Sequence, residues 1–214
     1  MEADKITLKT LAASIAAVLA AEAILRPAIS RLFISPLPAL GITRMVEIAL
    51  LTFIALKFEA SLEAIGLRPQ KIVDGIKKGL IWSACFGIAA AVLMVLLTVL
   101  GFDALRMLTT PLPYSKALIL IYLLVGGVIA PLAEEIFFRG ILYGFLRRWG
   151  VYTAVLFSTL LFVLPHLAGS NLPATQLVGG IVFALAYEKE KNLMVPITIH
   201  CLGNLAIFSI ALLA

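Results

Sequence analysis

The chain has 214 residues, of which 62% are hydrophobic and 14% are charged, and its mean hydropathy is +1.09. Soluble domains carry about one-quarter charged residues, so this composition excludes a soluble protein and indicates an integral membrane protein. The net charge of +5 does not indicate nucleic-acid binding, because the basic residues are divided among short loops between apolar runs rather than gathered on one surface.

Seven apolar runs approach the length of about 20 residues that a helix needs to cross a bilayer. They are residues 8–25, 42–58, 79–100, 117–146, 151–168, 172–187 and 193–213. Backbone polar groups cannot stay unpaired in lipid, and no run shows the short alternation of a barrel strand. The sequence therefore predicts an all-α fold, a polytopic transmembrane bundle of about seven to eight helices that forms one membrane domain over residues 1–214.

The first run is preceded by Lys5 and Lys9 and contains a small-residue stretch, residues 20–23, that resembles a signal-peptide cleavage site. Glu22 lies inside that stretch, and many further spans follow it. We therefore predict an uncleaved first span.

Residues 57–79 form the only long polar stretch between apolar runs and are predicted to be a short amphipathic segment at the membrane interface. The five basic residues in this stretch indicate a cytoplasmic loop. Alternating the loops from there places eleven basic residues inside and four outside, namely Arg26, Arg31, Arg106 and Lys116. The N-terminus is accordingly predicted to be cytoplasmic.

Two ion pairs are predicted near the ends of the first two spans. Glu22 and Arg26 are four residues apart, and Arg44 and Glu47 are three apart, so each pair shares a helix face. Both pairs are interpreted as structural.

Glu134, Glu135 and Arg139 lie inside the fourth run, in the stretch AEEIFFRG at residues 133–140. An ionisable side chain within a span costs about 2.5–3.5 kcal/mol on insertion scales, so it usually has a partner or a function. Glu135 and Arg139 are four residues apart and are predicted to form an ion pair. Glu134 is left without that partner, and an unpaired carboxyl in a low dielectric is suited to act as a general base or acid.

The only two histidines, His166 and His200, also lie inside apolar runs. Asn204 follows His200 by one helical turn, so the imidazole and the carboxamide could donate hydrogen bonds to one oxygen. At a rise of about 1.5 Å per residue, Glu134, His166 and His200 all lie at mid-depth in the bilayer. We predict that they converge on one pocket.

A proline lies close to each of these polar positions: Pro131, Pro165 and Pro196. A proline inside a helix leaves a backbone carbonyl without its hydrogen bond. Locally opened helices beside a water-filled cavity are one interpretation, and simple kinks are the other.

Three motifs in order on three separate spans carry a family resemblance: Glu134-Glu135-xxx-Arg139, Phe162-xxx-His166 and His200-xxx-Asn204. They resemble the motifs of the CPBP family of CAAX proteases and bacteriocin-processing enzymes, also called Abi, which includes the Rce1-type prenyl-protein endopeptidases. The resemblance covers residues 117–213, which we call the core motif region. Residues 1–56 carry no motif of the family.

The resemblance implies a glutamate-type intramembrane peptidase. In the mechanism proposed for the family, the positions of Glu134 and His166 activate a water molecule, and those of His200 and Asn204 stabilise the oxyanion. Glu135 is held by Arg139, and Phe162 shapes the substrate-binding site. The implied partner is a membrane-embedded or lipidated peptide or protein, or a leader or sorting segment of a small secreted peptide, in the lipid bilayer.

A metal site is the rival chemistry. Glu134, His166 and His200 would form a three-ligand set for zinc with an open position for water, and Glu135 would then serve as the base. No HExxH motif brings two ligands together locally, so we expect catalysis without a metal or other cofactor.

Two alternatives to a peptidase stay open: a non-catalytic membrane partner, such as a bacteriocin-immunity or scaffold protein, and a transporter with a buried proton relay. No inverted repeat supports the transporter. The compact chain with short loops is compatible with the inner membrane of a prokaryote.

Overall fold

A computed structural model describes residues 6–32, 35–103, 112–113, 115–168 and 173–213. The described residues form seven long helices in chain order: α1 (Leu8–Ser30), α2 (Pro36–Glu59), α3 (Ile72–Val99), α4 (Lys116–Trp149), α5 (Val151–Leu167), α6 (Ala174–Glu190) and α7 (Met194–Leu213). Lys5 and Arg106, which entered the charge count, lie outside the described residues. Each of the seven predicted runs corresponds to one of these helices.

Within the described residues, five helical stretches are long and apolar enough to cross a membrane: α1, α2, the stretch Leu62–Val99 that includes α3, α4 and α7. The helix α5 is apolar but shorter, and α6 has 17 residues. The prediction of an all-α membrane bundle is confirmed.

Two helices begin earlier than the apolar runs indicated. α2 starts at Pro36, where Ser35 Oγ accepts a hydrogen bond from the Leu37 N–H and proline occupies the first helical position. α3 starts at Ile72, and its first turns carry the exposed pair Asp74–Lys78, with an oxygen-to-nitrogen distance of 3.5 Å. Hydropathy marks where lipid contact begins, whereas a helix extends into the interface as far as its cap.

The polar segment before α3 folds into the bundle as well as along its surface. It contains two short turns of 3₁₀ helix, Leu62–Ile65 and Pro69–Lys71, and Ile65 is fully buried. The Tyr187 hydroxyl donates to the Ile65 carbonyl at 3.0 Å, and the Leu193 N–H donates to the Gly66 carbonyl at 3.0 Å. Gly66 has φ +81°, and a Cβ there would lie 2.6 Å from the Tyr187 hydroxyl, so glycine is required. The predicted interfacial segment thus also contributes to the core.

Two of the three prolines coincide with an irregular helix. In α4 the hydrogen bonding widens to a π-helix over Val125–Ile129 and again over Ile136–Tyr143, on either side of Pro131. α5 narrows to a 3₁₀ helix over Leu164–Ala168, around Pro165. Pro196 differs because it lies in the first turn of α7, where the missing N–H has no intrahelical partner to lose. The expectation of an opened helix at Pro196 is therefore wrong.

The bundle separates a lipid-facing surface from a packed interior. α3 exposes apolar side chains along its whole length, including Val73, Ile88 and Val99, as expected for a helix in contact with lipid tails. Its opposite side packs closely against α7, where a Cβ at Gly79 would lie 2.5 Å from Thr198 Cβ. The three family motifs singled out in the sequence lie on α4, α5 and α7, and α6 packs against α5 and α7.

Candidate active site

The predicted ion pair of α4 is present and fully buried. Arg139 Nη1 donates to Glu135 Oε1 at 3.0 Å, and Arg139 Nη2 donates to the Gly180 carbonyl of α6 at 3.1 Å. The guanidinium carbon lies 4.6 Å from the ring centre of Phe162 and 5.3 Å from that of Phe183. The aromatic faces and the two acceptors compensate the buried charge.

Glu135 also contacts a histidine, which the spacing in the sequence did not predict. His200 Nδ1 lies 2.8 Å from Glu135 Oε1, so one carboxylate oxygen is shared by His200 and Arg139. The His200 ring stacks on Phe183, with centroids 4.6 Å apart and planes 23° apart. A carboxylate on Nδ1 fixes the orientation of the imidazole and directs Nε2 toward Glu134, whose Oε2 is 3.8 Å away.

His166 lies in the 3₁₀ turn at the end of α5. Its Nδ1 is 3.0 Å from the Phe162 carbonyl, which leaves Nε2 for another partner. The ring of Phe162 lies between the two histidines, 5.3 Å from the His166 ring and 5.7 Å from the His200 ring. The contacts of Phe162 with both rings agree with the predicted role of this residue in shaping the site.

A cavity of about 420 Å³ opens beside Glu134. Glu134, Phe162 and His166 line it, and His200 lies behind Glu134. Among the described residues, Glu134 takes part in no hydrogen bond; its nearest charged or titratable neighbours are His200 at 3.8 Å and Arg44 at 4.0 Å. Glu134 and His166 therefore share one cavity as predicted, whereas His200 contacts Glu134 without being among the residues that line the cavity.

Asn204 has a different immediate partner from the one expected. Its Nδ2 donates to the Gly126 carbonyl at 2.8 Å, within the first π-helical stretch of α4. This contact satisfies a backbone carbonyl in a region where the regular hydrogen bonding is interrupted. Asn204 is not among the residues that line the cavity, so its role as an oxyanion donor stays a prediction.

Four charged residues of α1 and α2 line the same cavity: Glu22, Arg26, Arg44 and Glu47. The two predicted pairs are present, with Arg26 Nη1 2.8 Å from Glu22 Oε2 and Arg44 Nη1 2.5 Å from Glu47 Oε2. Beyond the structural role predicted for them, the pairs thus line the cavity that Glu134 also lines. The insertion cost that singled out Glu134 could have singled them out too.

The zinc hypothesis names Glu134, His166 and His200 as ligands. The structure places them near one another, but they do not form a set of metal ligands. Within the part of the chain that the structure describes, no group of three His, Cys, Asp or Glu side chains is close enough together to hold a metal ion. His200 Nδ1 and His166 Nδ1 already contact protein oxygens. A metal would have to be held by Nε2 of each ring and by Glu134.

Residues 116–206 match the sequence model of the Rce1-like family, described as type II CAAX prenyl endopeptidase Rce1-like. This confirms the family resemblance over the segment that contains the three motifs. No solved structure matches the chain. Together with the five apolar helices, the family match identifies the chain as an integral membrane protein.

Three curated proteins are each similar to about two-fifths of the chain. The membrane-embedded CAAX protease MroQ of Staphylococcus aureus is 35% identical over 91 residues, which are 39% of this chain and 36% of MroQ. YdiL of Bacillus subtilis, described as a candidate membrane peptidase, is 31% identical over 38% of this chain and 34% of YdiL. An uncharacterised 24.3 kDa protein of Escherichia coli is 31% identical over 38% of this chain and 40% of that protein. The chain thus spans about a third to two-fifths of each relative.

Proposed function

From the match of residues 116–206 to the Rce1-like family, we propose that the chain is an intramembrane endopeptidase of the glutamate type. Its substrate is a membrane-associated peptide that is lipid-modified or carries a leader or sorting signal. The observation that carries the proposal is Glu134, a carboxylate that lines a cavity within the bundle beside His166 and takes part in no hydrogen bond with the described residues.

The proposed reaction begins with a water molecule between Glu134 and His166. Glu134 accepts one proton from the water while the water oxygen attacks the scissile carbonyl carbon, so that a tetrahedral oxyanion forms. The same proton then passes to the amide nitrogen as the C–N bond breaks, which gives a carboxylic acid and an amine. The acid then ionises to the carboxylate, and the released proton goes to the amine or to solvent. His166 orients the water through Nε2, since its Nδ1 is held by the Phe162 carbonyl.

His200 is the proposed oxyanion donor. Because Nδ1 faces Glu135, the ring presents Nε2 toward the cavity side, where an Nε2–H would donate a hydrogen bond to the developing negative charge. Glu135, Arg139 and Phe183 hold the ring in place. Asn204 would join His200 as a second donor only if its side chain turned away from the Gly126 carbonyl.

The test of this function is a comparison of membranes that contain the wild-type chain with membranes that contain Glu134→Gln. The termini of small membrane peptides are mapped by mass spectrometry, and purified protein is assayed in detergent with internally quenched apolar peptides of twelve residues. A peptidase produces new termini that are absent with Glu134→Gln. Equal termini in both membranes, with an unchanged cellular phenotype, would instead indicate a scaffold or immunity protein.

The expected absence of a metal cofactor is tested on the same purified protein. We expect cleavage to continue after incubation with EDTA or 1,10-phenanthroline, because the proposed water activation needs only Glu134 and His166. Bound metal is measured by mass spectrometry of the digested protein. Loss of cleavage on chelation, with recovery on addition of zinc, would establish Glu134, His166 and His200 as ligands instead.

We further propose that the N-terminus is cytoplasmic, in the inner membrane of a prokaryote. What supports this is the gathering of basic side chains at one end of the bundle: Lys78 contacts Glu190 at 3.0 Å, and Arg147 contacts Glu188 at 3.0 Å. Reporter fusions at the start of α1 and in the loop after α4 should both give cytoplasmic signals.

A further inference from the structure

Arg44 of α2 lies across the cavity from the proposed active site, outside the family-matched residues 116–206. Its Nη2 is 4.0 Å from Glu134 Oε1 and 3.2 Å from Glu22 Oε1, and its Nη1 is 2.5 Å from Glu47 Oε2. One guanidinium therefore joins three carboxylates that come from three different helices. No motif of the family includes this residue.

The position of Arg44 is fixed from the side opposite Glu134. Glu47 is buried and lies three residues farther along the same helix, so it holds the guanidinium against the wall of α2. Glu22 of α1 contacts Nη2 and is itself paired with Arg26 at 2.8 Å. A planar guanidinium that is held at two points presents its remaining charge in one direction, which here is toward the cavity and Glu134.

Glu134 is largely buried and needs a counter-charge, but Arg139 is committed to Glu135 and to the Gly180 carbonyl. His200 Nδ1 faces Glu135, while its Nε2 lies 3.8 Å from Glu134 Oε2. Among the described residues, Arg44 is the guanidinium that forms an ion pair with Glu134. An uncompensated carboxylate in such a site would turn away from its neighbours or lose its charge.

We infer that Arg44 is a positioning residue: it compensates the charge of Glu134 and holds that carboxylate toward the cavity in the geometry needed for proton transfer. This inference rests on the proposed peptidase function. A purely structural Arg44, which served only to neutralise Glu22 and Glu47, would have no coupling to Glu134 and no specific effect on the chemical step.

The kinetic test compares Arg44→Gln and Arg44→Lys with the control Arg147→Gln, using the twelve-residue quenched peptides. Arg147 is a matched control because it is also paired with a glutamate and its side chain is 22% exposed, against 19% for Arg44. We expect Arg44→Gln to lower kcat about 10- to 100-fold, the range given by a unit charge about 4 Å away in a medium of intermediate dielectric. KM should change less than about threefold, because Glu134 acts in the chemical step.

The variant Arg44→Lys shows whether the charge of Arg44 or the shape of its guanidinium matters for catalysis. Arg44→Lys keeps the positive charge and should recover most of the lost kcat, while Arg147→Gln should leave kcat and KM unchanged. A rise in KM with unchanged kcat would show that Arg44 contacts the substrate, and equal losses in Arg44→Gln and Arg147→Gln would show a general loss of stability. Either result overturns the inference.

A second test does not depend on cleavage. The thermal midpoint is measured for the wild type, Arg44→Gln, Glu134→Gln and the double variant. If Arg44 and Glu134 are coupled, Arg44→Gln should lower the Tm less in the Glu134→Gln background than in the wild type, by about 2–4 °C for each kcal/mol of coupling in a chain of this size. Additive shifts overturn the inference, whereas coupling without any cleavage by the wild type would overturn the proposed function and leave only the ion pair.

Discussion

Two glutamates of nearly equal exposure show how differently the bundle treats a buried acid. Glu188, 18% exposed at the basic end, accepts hydrogen bonds from Tyr143 at 2.8 Å and from Arg147 Nε and Nη2 at 3.0 Å each, and it contacts Lys191 at 2.5 Å. Glu134, 16% exposed at the cavity, has only the longer contacts with Arg44 and His200. Burial alone therefore does not distinguish a structural acid from one available for proton transfer; the number of committed partners does.

The distinction between Glu134 and Glu188 would be lost if Glu134 could be replaced without loss of activity. We expect Glu134→Gln to lower the rate of peptide cleavage by about 100- to 10,000-fold, the usual range for loss of a general base. The folded state should lose at most the contribution of the Arg44 ion pair, because glutamine retains the shape and no hydrogen bond is lost. Cleavage of the quenched peptide and thermal unfolding are measured on one preparation, and a variant that cleaves at the wild-type rate would exclude Glu134 as the base.

Glu135, like Glu188, is an acid whose partners are committed, although it directly follows Glu134 in the chain. Removal of its partner by Arg139→Leu should destabilise the protein by about 3–5 kcal/mol, the usual cost of leaving a buried charge unpaired. Chemical denaturation in mild detergent measures the loss. The double variant Glu135→Leu/Arg139→Leu is the control and should regain part of the stability without regaining activity, since His200 would lose its acceptor. A fully stable single variant would contradict the structural role of the pair.

The smallest effect is expected at Glu188. Glu188→Gln should reduce stability by about 1–3 kcal/mol, because it weakens charged hydrogen bonds that are partly open to solvent. The kinetic constants for peptide cleavage should stay at wild-type values, since this cluster lies away from the cavity. Glu134→Gln and Glu188→Gln thus form a matched pair with opposite outcomes, and a loss of kcat in Glu188→Gln would remove the distinction between the two acids.

The sequence predicted those features that depend on spacing along one helix. The pair Glu135–Arg139 follows from a four-residue repeat and is found, and the mid-depth position of Glu134 follows from a regular rise and stays a prediction. The helices themselves follow from the need to satisfy backbone groups in lipid, which leaves few alternatives for apolar runs of this length.

Contacts between helices were not predictable in the same way. Depth counting places a residue along the membrane normal, but the rotation of each helix about its own axis decides which residues meet. For this reason Arg44 was predicted to pair with Glu47 but not to approach Glu134. Asn204 was expected to share an acceptor with His200 rather than to bind the Gly126 carbonyl, and the stacking of Phe183 on His200 was missed. Each of these depends on the packing of one helix against another.

The two π-helical stretches of α4 change which of its side chains lie on the same face of the helix. Each π-helical turn holds about one residue more than an α-helical turn, so everything beyond it is rotated by about 100° relative to an uninterrupted helix. A single rod can thereby present Glu134 to the cavity and, three turns later, Arg147 to an unrelated partner on α6. A deletion of one residue within 136–143 should be absorbed when the widened stretch closes to a regular α-helix, so the C-terminal part of the rod stays in phase with its neighbours, whereas the same deletion in a regular part of the helix would rotate that part by about 100°.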